Sequence, residues 1–192
     1  RPGMLEAAIL RSPLAHARIR SLKKPAGTDN RIYSATDIAS VAPFRVVSII
    51  PDHKAADYPH LATDKVRFVG DGVACVAAVD EDTANAACAL VTVDYELLRP
   101  WFDPETAAEH GEDPPIHEDA KHGNVSKHVE LEFGEVDAGL SAAAHTVEGD
   151  FSFHGTAHTP IEPHCAVAHW DGERLTLWSA TQIPHYVHKT VA

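Results

Sequence analysis

Four histidines, His154, His158, His164 and His169, fall within sixteen residues, together with Glu162 and Cys165. These are ligand types for zinc and other transition metals. Their spacing does not describe a metal geometry. His164 and Cys165 are adjacent, so on a strand they face opposite sides. His154 and His158 share a strand parity, but Gly155 and Pro160 interrupt any regular element there. The expectation is structural or solvent-facing histidines and no metal ligand, with a histidine-rich metal-binding protein as an alternative. Serine and histidine are both present, yet no G-x-S-x-G elbow occurs, which argues against triad hydrolysis. Asp80-Glu81-Asp82 could supply paired carboxylates, but the three suit the cap and first turn of a helix better. Gly70-Asp71-Gly72 has neither the third glycine nor the following helix of a phosphate loop.

Gln182 poses a different question. It follows LTLWS, residues 175–179, and precedes Ile183-Pro184. Its amide offers two donors and one acceptor, carries no charge and does not titrate. A helix starting at Pro184 has unpaired N–H groups in its first turn. Such a strand-to-helix corner suits an electronegative ligand. The plainer alternative is a residue bonding to its own backbone neighbourhood.

The elements that must position these residues follow from periodicity and turn chemistry. MLEAAIL, 4–10, and ARIRSL, 17–22, read as strands separated at Ser12-Pro13, because a residue before proline avoids the helical region. PAGTDN at 25–30 is a turn, FRVVSII at 44–50 an apolar run, and 51–60 a surface loop. VACVAAV, 73–79, predicts a strand covered on both faces. Asp80 then caps a helix whose apolar stripe is Ala84, Ala87, Cys88 and Val91, and Val93, Tyr95 and Leu97 alternate as a returning strand. Residues 99–128, rich in proline, acid and histidine, predict an extended linker open to protease. Beyond it, VELEF at 129–133 and HTVEGDFSF at 145–153 read as strands and EVDAGLSAAA as a short helix. CAVAHW and LTLWS flank an Asp171-Gly172 hairpin turn.

A net charge of −12 excludes the basic face that a nucleic-acid partner requires. Three cysteines without a C-x-x-C exclude a disulfide framework and point to a reducing, cytoplasmic compartment. No run reaches the roughly 20 apolar residues of a membrane span. The start at Arg-Pro-Gly, and the stop soon after Gln182, suggest a chain trimmed at both ends.

Six stretches, taken together, resemble the molybdenum-carrying large subunit of the xanthine dehydrogenase and aldehyde oxidase family: residues 4–19, 64–98, HGNV at 122–125, 134–151, HTPIEPHCAVAHWDG at 158–172 and LTLWSATQIPH at 175–185. The resemblance implies an α/β (α+β) fold, with an α/β hammerhead domain at 1–100, the extended linker at 101–128 and the beginning of a molybdopterin-binding domain at 129–192. It implies a molybdopterin cofactor, in its cytosine dinucleotide form, with iron–sulfur clusters and FAD on partner subunits. Gln182 matches the family's S/A-T-Q stretch, where the side-chain amide donates to an oxo ligand of the molybdenum. Glu162 and His164 match its E-P-H stretch and are expected near the site rather than as metal ligands. Gly72 stands where the family's G-D-P-V-A has proline. The family's GGGFGG loop and catalytic glutamate are expected after residue 192, so the isolated chain is expected to hold no catalytic residue and to be inactive. Residues 43–68 and 175–192 look most like 4-hydroxybenzoyl-CoA reductase, which removes a phenolic hydroxyl. The alternatives are a hydroxylase of an aldehyde or an N-heterocycle such as xanthine, and a noncatalytic assembly module.

Overall fold

The computed structural model describes residues 2–28, 31–45, 57–109, 111, 113–118 and 123–192. They fall into two units, Arg1–Val129 and Glu130–Ala192. In the first, the strands are β1 (Glu6–Arg11), β2 (Ala17–Lys23), β3 (Ile32–Ser34), β4 (Phe44–Arg45), β5 (Asp57–Tyr58), β6 (Lys65–Val66), β7 (Gly72–Ala78) and β8 (Thr92–Leu97), with helices α1 (Glu81–Leu90) and α2 (Pro104–Ala108). The second holds α3 (Val136–Ala142), β9 (Ala166–Asp171), β10 (Arg174–Ser179) and α4 (Pro184–Val191). The mixed α/β character expected from the sequence is observed.

The apolar run at 73–79 becomes β7, the middle strand of an antiparallel sheet ordered β1-β7-β3. Its alternation feeds two cores. Ala74 and Val76 join Ile32, Cys88 and Val91 in one cluster, and Val73 joins Ala17, Ala62 and Val66 in the other. A strand buried on both faces therefore reads as continuously apolar. α1 packs on β1 and β7. Asp80 caps it through Oδ1, which accepts from the Thr83 N–H at 2.8 Å. The returning strand β8 does not pair with β7. It pairs antiparallel with β2 in a second sheet, β6-β2-β8, so the helix crosses between sheets rather than closing a parallel unit. Leu22 of β2 and Val93 of β8 border both cores.

Ser12-Pro13 ends β1 as expected. The register shifts at Arg11, and the Ser12 N–H turns to the Asp71 carbonyl at 2.8 Å. The facing turn runs from Phe68 to Asp71. Gly70 adopts φ +97°, and the Asp71 N–H closes onto the Phe68 carbonyl at 3.2 Å. A positive φ at that third position is the demand of a type II turn, which glycine meets without strain. Gly72 has no such requirement. A Cβ built there would meet Ile9 at 3.4 Å, which is ordinary contact.

Two sequence expectations change. The first is the extended linker. Within residues 101–128, α2 forms behind an Asp103 cap, and residues 113–118 are held by the side chains of Lys65, Arg67 and Arg99. The second concerns 129–133 and 145–153, which form no strand. Their alternating apolar residues stay exposed, Leu131 at 74% and Phe151 at 97%. A strand is stable only when a neighbouring backbone takes up its N–H and C=O groups. No described residue does so here. The apolar run at 44–50 is seen only as far as Arg45, and the rest lies outside the described residues.

Two titrating groups stabilise the first unit at different pH. His16 is buried, and its Nδ1–H donates to the Arg99 carbonyl at 2.8 Å. Burial pushes its pKa below 6.5, and the cations of Lys65, Arg67 and Arg18 push the same way. The folded state therefore prefers the neutral ring. Its contribution is complete above about pH 6.5 and is lost as pH falls through the lower folded value. Asp37 takes two bonds from Lys24 Nζ at 2.8 Å and one from the Ser34 N–H at 2.6 Å, which hold its carboxyl far below the usual 3.8. That contribution persists until the pH drops below about 4. The expected result is a Tm that declines between about pH 7 and 5 in the wild type and declines less in His16→Gln. Equal slopes would show that His16 titrates as an exposed ring.

Candidate functional site

The second unit builds its site around a hairpin. β9 and β10 pair in the register Arg174↔Asp171 through Ser179↔Ala166, leaving Gly172 and Glu173 as the loop. Gly172 has φ +59° and Glu173 is not among the residues with positive φ. Those signs are the signature of a II′ loop with glycine first, whose twist matches the strands. The ladder extends one bond further, from the Ala180 N–H to the Cys165 carbonyl at 3.0 Å.

The corner follows at once. Thr181 Oγ1 accepts the Ile183 N–H at 3.1 Å. Pro184 opens α4 at the position where a missing N–H is harmless. No side chain caps this helix. Its first turn closes on the backbone alone, with the Tyr186 and Val187 N–H groups both donating to the Ile183 carbonyl at 3.1 and 3.3 Å. Between these two anchors Gln182 is exposed, and its amide makes no hydrogen bond among the described residues. The local-bonding alternative for Gln182 therefore has no partner behind it, because Thr181 already fills that role.

Charge separates this corner from the rest of the chain. The chain carries 28 acidic residues against 16 basic ones, yet residues 175–192 contain no Asp or Glu and do contain Lys189. The segment itself therefore places no carboxylate against an anionic group, and the nearest acid in sequence is Glu173 of the hairpin loop. The donor set at this corner, one unengaged neutral amide in an acid-free segment, fits a single contact to an oxygen-rich anionic cofactor.

Beside the corner lies a groove of about 510 Å³ between the hairpin and α4, lined by Trp170, Arg174, Leu175, Leu177, Val187 and His188 among others. Gln182 does not line it. The parity of Leu175 and Leu177 marks one wall in the sequence. Arg174 and His188 join it only through the fold.

The histidine segment does not assemble. His154, His158, Glu162, His164, Cys165 and His169 are all exposed. Among the described residues no three His, Cys, Asp or Glu side chains are placed to hold a metal ion. Thr159, between His158 and Pro160, has φ +44°, a left-handed setting uncommon for a β-branched residue. The cysteines are unbridged, with Cys88 buried and Cys165 exposed, and burial raises the Cys75 and Cys88 thiol pKa values. No helix among the described residues is long and apolar enough to cross a membrane.

Comparison with known proteins covers nearly the whole chain. Residues 1–99 match the family described as aldehyde oxidase and xanthine dehydrogenase, a/b hammerhead domain, and residues 116–192 match the molybdopterin cofactor-binding domain. The chain is 36% identical to the nicotinate dehydrogenase large molybdopterin subunit of Eubacterium barkeri, over 100% of this chain and 44% of that protein. It is 32% identical to the nicotine 6-hydroxylase large subunit of Paenarthrobacter nicotinovorans, over 96% of this chain and 23% of that protein. It thus spans less than half the length of either relative. Among solved structures, quinoline 2-oxidoreductase from Pseudomonas putida 86 superposes with a TM-score of 0.86 at 30% identity, over 100% of this chain and 25% of that one. Reconstituted CO dehydrogenase from Oligotropha carboxidovorans gives 0.81 at 29% identity, again over 100% of this chain and 25% of that one.

Proposed function

This chain belongs to the aldehyde oxidase and xanthine dehydrogenase family of molybdenum-binding subunits, and from that premise we propose that it serves a molybdenum-cofactor hydroxylase acting on an electron-poor N-heterocycle. The observation that carries the cofactor role is the unengaged Gln182 amide on an acid-free corner. When bound, the molybdenum–pterin supplies two-electron redox chemistry. Gln182 would hold it at one point through an amide N–H. A neutral donor orients its partner without adding charge, and the contact does not change with pH. The absence of carboxylates from 175 to 192 keeps repulsion away from a phosphate-bearing pterin, proposed as the cytosine dinucleotide form.

The proposed division of labour places the hammerhead at 1–100, a connector at 101–128 and the beginning of the cofactor-binding domain at 129–192. The partners are an iron–sulfur subunit and an FAD subunit. The relatives support a multi-subunit enzyme, since they are named as large subunits. Unbridged cysteines support a cytoplasmic location.

The N-heterocycle reading is supported by the names of nicotinate dehydrogenase, nicotine 6-hydroxylase and quinoline 2-oxidoreductase. A second reading, reductive dehydroxylation of 4-hydroxybenzoyl-CoA, keeps the sequence resemblance at 43–68 and 175–192 in its favour. Of these, 46–56 lie outside the described residues. Steady-state assays of the assembled enzyme separate the two. One arm offers nicotinate, xanthine and a simple aldehyde with an electron acceptor. The other offers 4-hydroxybenzoyl-CoA with a low-potential donor. Turnover of a heterocycle is expected, and turnover of the thioester alone would replace the first reading with the second. An assembled enzyme without molybdenum would overturn both.

A further inference from the structure

Lys65 sits on β6, a strand of two residues, and its side chain is 0% exposed. A buried ammonium is unfavourable unless it is paired and hydrogen-bonded. Its partners come from fifty residues away. Nζ donates to the Pro115 carbonyl at 2.8 Å and lies 3.5 Å from Glu118 Oε1. Two residues along, Arg67 Nε donates to the Ile116 carbonyl at 3.1 Å. The Arg67 fork is steadied by the Lys65 carbonyl at 3.1 Å and by Asp64 Oδ1 at 3.5 Å.

The captured segment is chemically suited to this grip. Pro114 and Pro115 have no N–H, so that stretch presents carbonyl acceptors with no donors of its own. Lys65 and Arg67 are donors with no acceptor. The Ile116 N–H that remains is taken by Asn124 Oδ1 at 2.7 Å, whose Nδ2 donates to the Ala107 carbonyl at 2.8 Å. Arg99 binds Asp113 at 2.8 Å. Ile116 is also the first residue matched to the molybdopterin cofactor-binding domain.

We infer that Lys65 and Arg67 form a donor-only clamp by which the hammerhead domain seizes the connector at the carbonyls of Pro115 and Ile116, where the match to the cofactor-binding domain begins. The hammerhead thereby acts as a seat for residues 113–118 and is not merely tethered through them. The inference rests on the two family matches and this geometry, and not on any substrate.

The test is proteolysis of the full chain by a glutamate-specific protease, which has sites at Glu105, Glu109, Glu112 and Glu118. Amide exchange is followed at Ile116 and along β7. The wild-type connector is expected to be cut far more slowly than a free peptide of residues 99–124. Lys65→Met and Arg67→Met are each expected to raise connector cleavage about tenfold or more, the worth of a charged hydrogen bond, while β7 protection stays unchanged. Asn124→Ala, outside the core, is expected to speed Ile116 exchange and connector cleavage. A wild-type connector cut as fast as the peptide would overturn the clamp. So would unchanged connector resistance in Lys65→Met with β7 still protected. Where Lys65→Met loses β7 protection, Arg67→Met decides, since that side chain is not fully buried, and unchanged connector resistance in it counts against the clamp.

Discussion

Gln182→Ala in the assembled enzyme is expected to lower kcat about 100-fold or more, with molybdenum content and Tm unchanged. Removing one preorganised donor from a site where charge develops has effects of about 100- to 1000-fold. The structural basis for the split between activity and stability is the exposure of Gln182. Its amide has no partner among the described residues, while the neighbouring Thr181 and Pro184 already secure the corner. An exposed substitution away from caps and cores stays within about 0.5 kcal/mol. Gln182→Glu sharpens the test. It keeps the length, removes both N–H donors and places a carboxylate in a segment that has none. Its activity is expected to fall as far as that of alanine at neutral pH and to recover in part on acidification, when the protonated acid can donate again. Kinetics unchanged in both variants would remove Gln182 from the site. A loss of molybdenum would make it a ligand-retention residue instead.

Local chemistry was readable in the sequence where one element decides its own shape. The Asp80 cap, the α1 stripe and the Gly172 loop depend on residues within a few positions of each other, and all three form. The continuous apolar run of β7 was readable because both its faces are buried. What could not be read depends on partners distant in the chain. β8 alternates as a strand must, but nothing in it says that it pairs with β2 rather than β7. The connector has linker composition, and only the fold brings Lys65 and Arg67 to its carbonyls. The alternation at 129–133 and 145–153 describes a capacity to pair, and no described strand meets it. Gln182 marks the other limit. Its corner was readable, but a lone amide carries no chemistry until family resemblance supplies a cofactor for it.

β3 sets the second large effect. The sequence pattern marks no element at 32–34, because three residues are too few to show a period. Yet Ile32 is 0% exposed and packs with Ala74, Val76, Cys88 and Val91. Its backbone pairs opposite Val76 on β7, and Ser34, at the strand's other end, is fixed by the Asp37 carboxylate. The side chain is therefore held from the sheet and from the turn that follows, and it has little freedom to collapse into a vacated space. Ile32→Ala is expected to lower the unfolding free energy by about 2–5 kcal/mol, against about 0.5–1.5 kcal/mol for Ile32→Val. For a domain whose whole stability is about 5–15 kcal/mol, the larger change takes a substantial part of it. Urea titration measures both, and the midpoint should move while the slope stays constant. Val69→Ala, at an exposed apolar residue in the Phe68–Asp71 turn, gives the comparison and should change little. If Ile32→Ala cost no more than Val69→Ala, β3 would have no place in the core. The α1 face of β7 would then have to be closed by another element.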